Sequence, residues 1–164
     1  MKVIIAEKPS VAQQIAAVVG ATARKDGYIE GGGYAVTWAF GHLVGPAMPE
    51  AYGIEGFKRE NLPILPETFV LEPRRVKSGK EYKPDPGAVK QLAVLKELFS
   101  RTERIVVATD AGREGELIFR FIYHYLDCKT PFDRLWISSL TERAIREGLA
   151  NIRPGSEYDD LYLS

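Results

Sequence analysis

The sequence has little that could staple it, export it or anchor it. A single cysteine, Cys128, stands among 164 residues, so an internal disulfide framework is excluded. Neither sign of charge is in excess, because 22 Lys and Arg balance 22 Asp and Glu. That excludes a globally basic, tail-driven nucleic-acid binder, although a local basic patch stays open. Long apolar runs are missing as well. The first run, Val3 to Ala6, already ends at Glu7. A secretion signal needs about 7–15 apolar residues and a membrane helix about 18. The chain is therefore expected in the cytoplasm, without a membrane partner. Internal repeats and low-complexity tracts are also absent.

What is present is the make-up of one globular domain. The apolar fraction of 45% is too high, and the net charge too low, for a disordered chain. Length matches one domain of about 150 residues, which buries roughly 68–70% of its unfolded surface.

Short apolar runs alternate with helical patterns. Val3–Ala6, Ile105–Thr109 and Leu135–Ile137 read as strands buried on both faces. A helix is expected from Pro9 or Ser10 to Val19, stopped by Gly20. A second begins after Asp85-Pro86, a third runs from about Glu114 to Leu126, and a fourth follows Ser139 and Glu142 at capping-box spacing. Strands alternating with helices imply a parallel sheet with helices on both faces. Residues 21–83 break this rhythm and are expected to be an insertion. Within it, Tyr28–Glu30 and Tyr34–Trp38 flank three glycines as a hairpin, and Thr68–Leu71 reads as a strand. The turn-rich stretch 41–67 is too long for a simple loop. Residues 156–164 look like the start of a further helix, so the chain is expected to be one domain, 1–164, of a longer multidomain protein.

Open parallel sheets bind ligands beyond the carboxyl ends of their strands. Glu7 follows the first strand and Asp110 the Ile105–Thr109 strand; Glu114 and Glu116 come in the next turn. If the two strands are neighbours, these carboxylates share one crevice and must bind protons or recruit a cation. Magnesium suits such oxygen ligands, with Lys8 and Arg113 placed for a phosphate. The same residues also fit a purely structural role, since acids at a helix start favour the macrodipole by about 0.3–1 kcal/mol and Glu7 can form a surface ion pair. Three further features stay open in the same way. His42 is a substrate contact or a packed histidine. The basic run Arg74 to Lys83 tracks a single DNA strand or is a solvated face. Trp38 and Trp136 stack on bases or, as their strand patterns favour, fill the core.

The strings EKPSVA, GHLVGPAMPEAYG around His42, ATDAGREGELIFR around Asp110 and SSLTERAIREGL resemble the TOPRIM domain of type IA DNA topoisomerases, most closely the topoisomerase III branch. The resemblance runs in order over essentially the whole chain. It implies an α/β TOPRIM (Rossmann-like) fold with about four parallel strands, plus a β-hairpin and loop insertion. It also implies an ATP-independent enzyme that cuts one DNA strand through a tyrosine, passes a strand and religates. Glu7 would be a catalytic group and metal ligand, Lys8 would stabilise the phosphate, and Asp110 and Glu114 would be magnesium ligands, with Arg113 on phosphate. His42 and Glu116 are tentative members of the site. The family pattern Asp-x-Asp-x-Glu has Gly112 at its middle position here, so fewer ligands and weaker metal binding are expected. The family's tyrosine lies in a later domain, so residues 1–164 alone are expected to be inactive and monomeric, with single-stranded DNA and the remaining domains as partners. A TOPRIM primase or metal-dependent nuclease is the alternative within the fold, although it would lack the segment around His42. A non-catalytic nucleic-acid- or protein-binding α/β module is the alternative outside enzymes, favoured only by Gly112.

Overall fold

The computed structural model describes residues 1–46, 71–79, 81–109, 112–136 and 139–155. Its frame is a sheet of seven strands. Strand β1 is Lys2–Ala6, and helix α1, Pro9–Val19, follows it. Three strands come next: β2 Ala23–Lys25, β3 Tyr28–Gly31 and β4 Tyr34–Trp38. Short strands β5 (Val44–Pro46) and β6 (Leu71–Pro73) pair with each other, as do β7 (Arg75–Ser78) and β8 (Glu81–Pro84). Then come α2 (Pro86–Ser100), β9 (Ile105–Ala108), α3 (Arg113–Tyr125), β10 (Phe132–Arg134), α4 (Glu142–Ala150) and β11 (Arg153–Pro154). The main sheet runs in the order β11-β10-β9-β1-β4-β3-β2. Its centre, β10-β9-β1-β4, is parallel throughout, so the expected four-stranded parallel array is found.

Side-chain alternation along the central strands sets the two layers. Val3 and Ile5 of β1, with Ile105 and Val107 of β9, face α2 and α3 through Leu92, Leu95, Phe99, Phe119 and Ile122. Ile4 and Ala6, with Val106 and Ala108, face α1 and α4 through Val11, Ile15, Ala16 and Ile145. A strand whose neighbours in sequence point to opposite faces must be apolar at every position to be buried on both. That is why these runs read as continuous rather than alternating.

Local signals act as expected at most ends. Gly20 closes α1 in the left-handed region, φ 83°. The Asp85 carboxylate accepts from the Gly87 N–H at 2.9 Å and caps α2. Other expectations need correction. The cap of α4 is Thr141, whose hydroxyl accepts from the Ala144 N–H at 3.2 Å; Ser139 lies two residues before that cap. The third strand is Phe132–Arg134; of the expected Leu135–Ile137 strand, Leu135 and Trp136 follow it outside any strand, Ile137 lies outside the described residues, and Trp136 is 45% exposed instead of core. Trp38 does pack against the α1 side of the core. The 28–38 hairpin, expected inside an insertion, delivers β4 to the parallel array beside β1. Of the Thr68–Leu71 strand only Leu71 is described; the rest of that strand, residues 47–67 and 156–164 lie outside the described residues.

Two glycines in the β3–β4 turn separate backbone strain from crowding. Gly32 has φ +60° and a Cβ there would sit 2.4 Å from the Val19 carbonyl oxygen; Gly33 has φ +83° with open space around it. Gly33→Ala should therefore cost only the left-handed penalty, about 1–2 kcal/mol. Gly32→Ala should cost about 1–3 kcal/mol more, since backbone must move. Urea denaturation of both variants measures the difference.

Arg74 links the 71–85 segment to the frame. Its guanidinium donates to the Asp85 carboxylate at 2.9 Å and to the Phe40 carbonyl at 3.1 Å. That hydrogen bond holds the Asp85 carboxyl below its ordinary value. A depressed native pKa means stability that is present above the unfolded-state pKa of about 3.9 and lost as pH falls through the native value. Asp85→Asn keeps a capping side chain but not the charge. The stability gap between wild type and Asp85→Asn should be constant near neutrality and close as pH falls below about 4; a gap independent of pH would contradict the ion pair.

Candidate functional site

The parallel strands β1, β4 and β9 end at the same edge, and the candidate residues follow from those ends. Glu7 is the first residue after β1, the middle strand of the three, and is half-buried. Lys8 is exposed and takes the N-cap position of α1 in an extended conformation, φ −152°. His42 comes four residues after β4. Glu114 lies in the first turn of α3, the helix that follows β9. The chain is locked across this edge by the Ala39 N–H, which donates to the Ala6 carbonyl at 2.9 Å.

Sequence distance collapses at one contact: His42 Nε2 meets Glu114 Oε1, across 72 residues of chain. Glu114 is 73% exposed and His42 40% exposed, so both remain open to solvent. The His42 ring also stands 6.2 Å from that of Phe121, about two turns further along α3. The expectation that β1 and β9 are neighbours holds, and with it the convergence of Glu7 and the α3 start on one edge. Asp110 lies outside the described residues, as does the side chain of Arg113, whose backbone opens α3.

Glu116 behaves differently from its neighbour two residues earlier. It is fully buried and faces two arginines rather than the crevice. Arg120 Nε donates to Glu116 Oε1 at 2.9 Å, and Arg134 Nε stands 3.5 Å from Oε2. Arg134, itself fully buried, donates through Nη1 to the Thr109 hydroxyl at 2.6 Å. That hydroxyl donates in turn to the Gly115 carbonyl at 2.9 Å. Arg120 reaches the Gly155 carbonyl at 2.9 Å and lies over the Phe132 ring at 4.8 Å. The tentative placing of Glu116 among crevice ligands is thus corrected. Its charge is consumed by a buried cluster that fastens the end of β9, the start of α3 and β10 together. Arg120, Arg134 and Thr109 were missed by sequence reasoning. The i,i+4 spacing of Glu116 and Arg120 was a usable signal; Arg134 was hidden by the misplaced third strand.

The available chemistry is that of hard oxygen ligands beside exposed positive charge. Glu7 and Glu114 offer carboxylates, and such donors suit magnesium rather than soft-ligand metals. Among the described residues no three His, Cys, Asp or Glu side chains form a metal-sized cluster.

A sheet whose four central strands are parallel, with helices on both faces, defines an α/β domain of the doubly wound kind. The Toprim domain model matches residues 2–140, and the chain belongs to that family. It is 47% identical over 165 aligned positions to DNA topoisomerase 3 of Bacillus cereus (strain ATCC 14579), which covers 99% of this chain and 21% of that protein. It is 46% identical to DNA topoisomerase 3 of Bacillus subtilis (strain 168) over 164 positions, with 99% and 21% covered. Its fold is similar to full-length topoisomerase I from Thermotoga maritima, with TM-score 0.55, 26% identity, 93% of this chain and 21% of that chain covered. The chain spans about a fifth of the length of these relatives. No helix among the described residues is long and apolar enough to cross a membrane.

The buried cluster yields a stability prediction. Removing one partner strands the other charges in a dry interior and typically costs about 3–5 kcal/mol. Glu116→Gln should lose about that much in chemical denaturation, whereas Glu114→Gln, with its exposed carboxylate, should lose less than about 1 kcal/mol. Equal effects in both would refute the division of roles between the two glutamates.

Proposed function

We propose that residues 1–164 form the Toprim domain of a topoisomerase III-like type IA enzyme, which cuts and reseals one DNA strand without ATP through a tyrosine supplied outside this chain. The observation that carries this reading is similarity over nearly the whole chain to proteins named DNA topoisomerase 3, at 46–47% identity. The placement of Glu7 on the central strand's carboxyl end, between β4 and β9, supports it.

In this reading Glu7 exchanges a proton with the leaving sugar oxygen, and Lys8 and Arg113 hold the phosphate by charge. Glu7, Asp110 and Glu114 would hold magnesium, which supplies charge screening at the phosphodiester. His42, in contact with Glu114, keeps that carboxylate at the strand-end edge. Single-stranded DNA is the substrate form, and the remaining domains of the same polypeptide hold most of it.

Relaxation of negatively supercoiled plasmid by the full-length protein tests the assignment. Positioned acid–base groups contribute about 10²–10⁴-fold. Glu7→Gln should lower the relaxation rate about 100-fold or more while leaving the melting temperature unchanged. Relaxation at the wild-type rate would remove Glu7 from catalysis.

A further inference from the structure

Between the crevice edge and α2 the chain projects the β7–β8 hairpin. Among the described residues, none of the hairpin's own side chains joins either core cluster. Its root, by contrast, is firmly tied. The Arg74 N–H donates to the Leu43 carbonyl at 2.8 Å, and the Asp85 N–H to the Arg74 carbonyl at 2.8 Å. The Arg74 side chain adds its bonds to Asp85 and Phe40 and lies 4.8 Å over the Phe40 ring. Leu43 directly follows His42, so the hairpin springs from the same strip of chain that meets Glu114.

The register sorts its side chains. Arg75 faces Pro84, Val76 faces Lys83, and Lys77 faces Tyr82. Directly opposed residues share a face, and faces alternate along each strand. Arg75, Lys77, Tyr82 and Pro84 therefore occupy one face, and Val76 and Lys83 the other. Tyr82 is 60% exposed. Arg75 is paired with Glu72 at 3.0 Å, which leaves Lys77 as the exposed ammonium beside the tyrosine.

We propose that this face is a contact for single-stranded DNA passing the crevice edge, with Tyr82 stacking on an unpaired base and Lys77 meeting a phosphate. An exposed aromatic ring beside a cation is the pairing that single strands select. Every base offers a π face, so stacking is tolerant of sequence, and the cation displaces a condensed counterion. A duplex would leave the ring without a base to stack on. The inference rests on the topoisomerase reading only in taking DNA as the polymer.

The test uses the full-length protein and a short fluorescent oligothymidylate, followed by anisotropy across a salt series. Tyr82→Ala should weaken binding about ten-fold with the salt dependence unchanged, and Tyr82→Phe should bind as wild type. Lys77→Ala should flatten the log–log salt slope by about 0.7. Lys83→Ala removes the same charge from the opposite face and should leave the slope as it was. Wild-type affinity in Tyr82→Ala, an equal loss in Lys77→Ala and Lys83→Ala, or no oligonucleotide binding by wild type would each overturn the inference. Plasmid relaxation run in parallel separates the two readings. An enzyme that relaxes plasmid but is indifferent to Tyr82 and Lys77 sinks the hairpin contact alone. A protein that relaxes nothing, yet loses oligonucleotide affinity with Tyr82→Ala, sinks the catalytic reading alone.

Discussion

Strand β1 is buried on both faces, and a buried strand has to satisfy its backbone N–H and C=O groups on both edges. Here β4 does so on one side and β9 on the other, all three in parallel. Parallel neighbours cannot be joined by tight turns, so each strand end must lead into a crossover. The consequence is a sheet edge at which three strands stop together and three connecting segments begin. Glu7, His42 and Glu114 sit on those three segments. The site is thus a by-product of two-sided burial: the apolar runs that make the core also align the points from which the polar residues leave it.

What keeps that edge in register is a second, costlier device. Two arginines and a glutamate in a dry interior are not there for stability alone, because burying an ion pair forfeits hydration that its Coulomb energy barely recovers. The geometry indicates another use. Arg134 comes from β10, Glu116 and Arg120 from α3, and Thr109 from the residue just past β9. The Thr109 hydroxyl accepts from Arg134 of β10 and donates to the Gly115 carbonyl of α3, bridging the two elements. An apolar core would fill the same space but would not select one rotation of α3. With charges, a slip of the helix by one residue leaves a buried carboxylate without its partners, and that penalty fixes which side chain of the first turn points outward. Glu114 is then exposed because Glu116 is not.

The legible parts of the chain were those governed by local rules. Continuous apolar runs announced two-sided strands, and Gly20 and Asp85 announced helix ends. Those signals operate within a few residues and need no knowledge of partners. The misreadings came where tertiary pairing overrides local pattern. Leu135-Trp136-Ile137 is the more apolar triplet, yet β10 is Phe132–Arg134, because Arg134 is admitted to the interior by Glu116 and Thr109. Polar residues look like surface until their partners are known. The glycine hairpin was recognised, but not that β4 would pair with β1 across the sheet, since a strand's second neighbour leaves no mark on its own sequence. The His42–Glu114 contact was invisible for the same reason.

Gly112 brings these strands of argument together. It caps α3 with φ +132° and ψ 177°, a conformation essentially reserved for glycine, while open space surrounds the position where a Cβ would be. Crowding is therefore not what bars a side chain here; backbone strain is. A residue with a Cβ cannot stand here without changing the Gly112 backbone, whose carbonyl accepts from the Glu116 N–H at 3.1 Å at the start of α3. The glycine is thus tied to how α3 begins, not to a single tolerant surface position. At this edge a glycine whose backbone conformation admits no side chain stands two residues before a glutamate that meets His42 from the segment after β4.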